Sequence, residues 1–395
     1  MKRTWNQHVV KQENKTLVLS TIIDRTPISR AHVAQLTGLN KGTVSSLVSE
    51  LITEELVEES GPGKSSGGRR PVMLLFNGGS GHSVSIDLGV GYIRGVLTNL
   101  TGEIIVEHKV TTESNAFAVV YPTLLDLIKQ LINKAPASRY GIIGIGVGVP
   151  AVVSHVGEIL LAPNLDWKNI NLKEKLAKAF NLPIYIENEA NAGAYGEKRF
   201  GSKFVSEHMI YASIGMGIGI GMILDGNLYN GLKGFAGEIG HMTIVKDGRK
   251  CRCGNNGCWE RYASEQALIQ EGEIRGLIAQ QSTDPLADLI TLAKANDDKT
   301  IKLFEEIGTY IGIGLTNCIN IFNPQHIVIG NQLLQVKDWL LPAIMGHIQS
   351  HTIGFHQQDL QLSFAKLGQY STVKGMAAFT IEGFLLEAKN TNIQL

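Results

Sequence analysis

The 395-residue chain is short of cysteine, carries no net charge and contains no long unbroken apolar run. Each shortage excludes a class of protein. Four Cys, three of them crowded into positions 251–258, cannot supply a disulfide framework and point to a reducing compartment. The first fifteen residues (MKRTWNQHVVKQENK) contain no apolar core of a secretory leader, so a cytoplasmic location is expected. One long uncharged stretch, residues 208–224, is interrupted by Gly215, Gly217, Gly219 and Gly221, which suits a β-turn-β unit better than a membrane helix. No spanning segment is expected. With 36 basic residues against 36 acidic ones, any attraction to nucleic acid must be local rather than a field of the whole molecule.

What is present is an ordinary globular composition, 44% hydrophobic and 18% charged, enough for two or three cores. The 44 glycines are above the usual share of about 7% and suit an α/β fold with several tight turns. Charge is uneven along the chain. Residues 1–75 hold ten Lys or Arg against seven acids, a balance of +3, which leaves −3 for the rest.

That basic segment reads as three short helices at 14–25, 29–37 and 41–54, with apolar residues three or four apart. Gly38 suits the left-handed end of the second helix and Asn40 the cap of the third, a helix-turn-helix pattern. The third helix opens with Lys41, Thr43, Ser45 and Ser46, short hydrogen-bonding side chains able to approach base edges and phosphates. Alone they could equally begin an ordinary exposed helix. Two candidate strands, 56–59 and 71–76, flank a glycine-rich loop carrying Lys64, Arg69 and Arg70, which has the character of a DNA-contacting wing. A linker at 77–81 then separates a DNA-binding domain, 1–80, from residues 81–395, where Val- and Ile-rich strands alternate with helical segments in an α/β pattern.

The sharpest chemical signal in the second part is His241, Cys251, Cys253 and Cys258. Three thiolates and an imidazole make a complete tetrahedral zinc set, with Gly254 and Gly257 permitting the turns between them. A full set leaves no open position, so the zinc is expected to be structural. Glu238 and Glu260 flank this knuckle and could accept hydrogen bonds from several sugar hydroxyls, or be solvated acids. A second polar cluster, 187–191 (ENEAN), sits at a strand-to-helix junction and could hold a ligand or cap the helix. Two glycine-rich turns, 87–91 and 215–221, could cradle phosphate. They carry Val90 and Met216 where a hydroxyl donor would be needed, so a purely structural role is favoured.

Together the knuckle with its trailing Glu260, the 187–191 cluster and the two turns resemble the ROK family of repressors and sugar kinases over essentially the whole chain. Residues 28–31 (ISRA) and 39–46 (LNKGTVSS) are similar to its repressor branch. Residues 66–73 (SGGRRPVM), 186–197 (IENEANAGAYGE) and 240–243 (GHMT) are similar to the members of that branch that respond to xylose. The resemblance implies an actin-like, hexokinase-type (ribonuclease H-like) fold of two α/β lobes with sugar in the cleft, held by residues matching Asn188, Glu189, Glu238, His241 and Glu260. In the family's kinases an Asp acts as general base where this chain has Glu189. Their Gly-Gly-Thr phosphate turn, second-turn Thr and paired adenosine-site Gly are replaced here by Gly89-Val90-Gly91, Met216 and Gly330-Asn331. The expectation is a homodimeric, non-enzymatic repressor that binds operator DNA and is released by a small sugar, xylose or one close to it. The alternatives are an ATP-dependent sugar kinase carrying a DNA-binding domain and a sugar-responsive activator.

Removing both wing charges, Arg69→Ala with Arg70→Ala, should weaken specific and non-specific DNA binding together and reduce the slope of log affinity against log salt by about 2. An unchanged slope in a salt titration would remove the wing assignment.

Overall fold

A computed structural model describes residues 7–62, 71–201 and 206–387. The chain opens with helices Gln7–Arg25, Arg30–Thr37 and Lys41–Thr53. The helix boundaries follow from caps. Ser29 Oγ accepts from His32 N, Gly38 takes φ 71°, and Asn40 Oδ1 accepts from Thr43 N. Val44, Leu47, Val48 and Leu51 turn inward, while Lys41, Ser45 and Ser46 are exposed and Thr43 is half-exposed. The wing strands Val57–Pro62 and Val72–Phe76 pair antiparallel, and Ile28–Ser29 adds a short third strand beside the second. Lys64, Arg69 and Arg70 lie outside the described residues.

The rest is built on two five-stranded sheets of matching design. In the first, His82–Gly89, Tyr92–Asn99 and Ile104–Thr111 form an antiparallel meander, and Ile142–Val149 and then Ile184–Asn188 add in parallel on the other side. In the second, Met209–Ile214, Ile218–Leu224 and Asn227–Leu228 form the meander, and His326–Gly330 and Gln361–Phe364 add in parallel. Helices cover the parallel strands, so His82–Gly89, Met209–Ile214 and His326–Gly330 are buried at every residue. Each sheet has its own core. Phe117–Asn133 and Leu172–Phe180 pack on the first; Pro285–Lys294 and Asp298–Phe322 pack on the second. Cys318 is buried in the last of these helices, as its apolar surroundings suggest.

Three elements were not legible in the sequence pattern. A small sheet of Val152–Val153, Ile159–Ala162 and Trp167–Ile170 hangs from the first lobe, and helices Lys337–His351 and Ser371–Glu387 close the chain. The C-terminal helix buries Val373, Met376, Ala377, Ala378 and Ile381 on several faces, so it shows no amphipathic stripe. Its later turns enter the core of the N-terminal helix-turn-helix unit. Ala377 and Ile381 share a cluster with Val18, Ile22, Leu51 and Leu74, joined by Leu100 and Ile143 of the first lobe. Tyr140 reinforces the seam, donating to Glu54 O at 2.9 Å and meeting Phe384 edge-on. Among the described residues no helix is long and apolar enough to cross a membrane.

Truncating Ile381 to Ala should cost about 2–4 kcal/mol, because the cavity opens between three packed units. Ile321→Ala, at a position 64% exposed, should change stability by less than ~0.5 kcal/mol. Urea unfolding of the two variants checks the contrast.

Candidate functional site

The cleft between the lobes is lined by Asn188, Glu189, Glu238, His241 and Glu260, the five side chains singled out in the sequence, although they span more than seventy positions. Asn188 ends strand Ile184–Asn188 and caps helix Glu189–Gly196. Its Oδ1 accepts from Ala190 N at 2.8 Å and Asn191 N at 3.2 Å, and its Nδ2 donates to Ala151 O at 2.9 Å. The capping reading of this residue holds, and the cap fixes the side chain at the cleft. Glu187 stands behind it, accepting from Asn188 N and from Asn191 Nδ2. Asn164, not singled out in the sequence, also lines the cleft and sits beside Glu260 over Gly217. No spacing signal connects it to the knuckle, so only the fold could have found it.

Glu238 and His241 occupy a single 3-10 turn laid directly on strand Ile218–Leu224. A Cβ at Gly240 would lie 2.1 Å from Ile218 O, and Gly237 takes φ 98°, so this turn can reach the strand only with glycine at both positions. Glu260 begins the short helix Glu260–Ala263, anchored by buried Trp259, whose Nε1 donates to Tyr310 O at 2.7 Å. Glu260 Oε1 stands 3.0 Å from Cys251 Sγ and 3.4 Å from His241 Nδ1. Burial, with Glu260 nearby, raises the Glu238 carboxyl above the usual range despite His241.

One donor atom each from His241, Cys251, Cys253 and Cys258 lies within 4.8 Å of all the others. Cys253 and Cys258 Sγ are 3.7 Å apart, and Cys251 Sγ is 3.6 Å from His241 Nδ1. A tetrahedral zinc with ordinary bond lengths requires about 3.8 Å between sulfurs and about 3.5 Å from sulfur to nitrogen. The donors present fit such an ion. Gly254 and Gly257, at φ 99° and 73°, make the turns between them.

The side of the cleft near Gly89 and Gly215 is different. Tyr92 lies over Gly89, where a Cβ would meet its ring at 2.1 Å, and its hydroxyl donates to Asp87 at 2.9 Å. Asn331 leans on Gly215 and donates to Ser213 Oγ at 3.0 Å; Ser213 in turn donates to Glu189 at 3.4 Å. Burial pushes Asp87 up to about 6, with Tyr92, Arg94 and Lys109 opposing, and burial together with the Asp87 charge pushes Glu189 up to about 8. The candidate DNA contacts Lys41, Thr43, Ser45 and Ser46 are not part of the cleft.

A winged helix-turn-helix joined to two α/β lobes of repeated topology, with a polar cleft between them, defines a DNA-binding protein built on a sugar-kinase type of fold. The chain belongs to the ROK family, whose profile matches residues 83–382. It is 45% identical over 380 residues to the xylose repressor of Bacillus spizizenii, covering 96% of this chain and 98% of that one. It superposes with a TM-score of 0.81 on a ROK family transcriptional regulator homologous to the E. coli MLC protein, at 30% identity, covering 96% of this chain and 99% of that one. A ROK family glucokinase from Streptomyces griseus, in complex with glucose and AMPPNP, gives a TM-score of 0.67 at 28% identity, covering 75% of this chain and 98% of that one.

The raised Glu189 has a measurable consequence. The folded protein keeps this proton up to about pH 8, whereas an unfolded chain releases it near pH 4.3, so folding takes up a proton between those values. The associated stability is complete below the unfolded value and is lost as pH rises through about 8. Glu189→Gln should therefore gain stability relative to wild type as pH rises from 5 to 8. Parallel urea midpoints across that range would contradict a neutral Glu189.

Proposed function

We propose that this chain is a transcriptional repressor that holds operator DNA and lets go when D-xylose, or a sugar close to it, occupies the cleft. The observation that carries this reading is the asymmetry of the cleft. One side assembles Asn188, Glu189, Glu238, His241 and Glu260, while the other presents Tyr92, bonded to Asp87, and Asn331 packed on Gly215. Carboxylates and an amide around one small space suit the several hydroxyls of a sugar. Val90 and Met216 offer no side-chain donor to a phosphate, so binding without turnover is the simplest account and the domain is not an enzyme. The 45% identity to a xylose repressor supports xylose as the effector.

In this reading residues 1–80 read DNA and residues 81–395 sense the sugar, in the cytoplasm. Lys41, Thr43, Ser45 and Ser46 meet base edges and phosphates, and Lys64, Arg69 and Arg70 hold the backbone from the wing. A homodimer presents two recognition helices to two half-sites. Zinc on His241, Cys251, Cys253 and Cys258 is structural: it fastens the loop from which Glu238 and Glu260 reach the cleft. Sugar acts by binding one interlobe arrangement better than the other, since only differential affinity shifts such an equilibrium. The shift reaches the DNA-binding domain through the C-terminal helix that both share.

The test is a DNA-binding titration, with and without xylose, on a site the protein itself selects from random DNA. Xylose should weaken wild-type binding. Glu238→Ala, Asn188→Ala and Glu260→Ala should each bind DNA normally but resist release, losing roughly 1–3 kcal/mol of sugar affinity. Wild-type protein phosphorylating xylose with ATP at about 1 per second or faster would instead establish the kinase reading.

A further inference from the structure

We propose that Asn331 is a positioning residue for the sugar: through Ser213 it holds the Glu189 carboxyl at the cleft, and its backbone is strained to place an amide there. Asn331 follows strand His326–Gly330 with φ 74° and ψ −153°. Asparagine tolerates the left-handed helical region, where Asn181 (φ 51°, ψ 41°) and Asn323 (φ 43°, ψ 57°) end helices in this same chain. Asn331 is not in that region. Its combination of angles is comfortable only for glycine, and a side chain persists there only where its surroundings hold it.

The surroundings are specific. Asn331 Nδ2 lies 3.0 Å from Ser213 Oγ and packs on Gly215, where a Cβ would come within 2.9 Å of it. Ser213 is 2% exposed and lies 3.4 Å from Glu189 Oε1. An amide nitrogen can only donate, so Ser213 Oγ must accept from Asn331, and its single hydrogen is left for Glu189. The relay thus has one direction, amide to hydroxyl to carboxyl. It fixes one oxygen of Glu189 and leaves the other for the cleft. Asn331, Glu189 and Gly215 all line that cleft, so the relay borders the space a ligand enters.

This inference rests on the sugar-binding reading of Glu189 given above. It makes an unusual pair of expectations for Asn331→Gly. Glycine accepts the backbone conformation without strain, so the urea midpoint of the full-length variant should equal or exceed that of wild type. Xylose affinity by isothermal titration should nevertheless fall about five- to tenfold, the effect of one lost hydrogen bond, with sugar-free DNA affinity unchanged. A residue kept only for packing would show the opposite: lower stability and unaltered sugar binding. In a Ser213→Ala background, where the relay is already cut, Asn331→Gly should cause no additional loss of xylose affinity. Wild-type xylose affinity in Asn331→Gly, equal losses in both backgrounds, or a lower midpoint would each overturn the proposal. Failure of the underlying functional reading is distinct, because it shows in the wild-type titration: a protein that binds its DNA site but takes up no xylose overturns both.

Discussion

A single helix crossing ties the two working ends of this molecule together. A Cβ at Gly375 would lie 1.7 Å from Ala192 O, and one at Gly196 would lie 2.2 Å from Ser371 O. The backbones of helix Glu189–Gly196 and the C-terminal helix Ser371–Glu387 are therefore in direct contact, without the compliance that side chains would provide. The first helix starts at the cleft with Asn188 and Glu189. The second ends in the hydrophobic core of the DNA-binding domain with Ala377 and Ile381. Buried Glu197 locks the crossing, accepting from Lys366 N, Leu367 N and Ser371 Oγ at 3.1, 2.9 and 2.8 Å. Beyond it Tyr195 donates to Glu382 at 2.5 Å, and Arg199 lies 3.8 Å from Asp24 in the first helix of the DNA-binding domain. A displacement of the cleft helix would bear directly on the helix on which the DNA reader is packed.

The cleft itself is chemically divided. On its outer side the carboxyls of Glu238 and Glu260 surround a metal-ligand set whose spacing matches tetrahedral zinc. On the other side burial raises both Asp87 and Glu189, and the Asp87 charge adds to the shift at Glu189. Neutral and ionised carboxyls together offer both donors and acceptors, which suits hydroxyl groups that can play either part. A phosphate chain would meet acids, an aromatic ring and a methionine at the same place. The strain at Asn331 falls at this division, where Asn331 and Glu189 line the same cleft.

Much of this was legible in the sequence. The caps Ser29 and Asn40, the left-handed Gly38, the alternation of strands and helices after residue 80, and the four candidate metal ligands are set by residues close to one another in the chain, where local geometry decides. The polar residues of the cleft were legible as well, through their resemblance to a family. Other features lay beyond reach. The third wing strand at Ile28–Ser29 is two residues long and exists only because Val72–Phe76 lies beside it. The C-terminal helix has no apolar stripe to reveal it, being buried between the first lobe and the DNA-binding domain.

The sequence by itself therefore determined the parts: a helix-turn-helix segment, two α/β lobes, a His-Cys cluster able to hold a metal ion, and the polar residues that line the cleft. Only the tertiary structure decided how they act on one another. Asn164 joins the cleft beside Glu260, Asn331 reaches Ser213, and Gly196 meets Gly375 across distances of tens to hundreds of residues. Local pattern reports the conformation a segment prefers, whereas these contacts depend on which surfaces meet when the core closes, and no spacing along the chain encodes that.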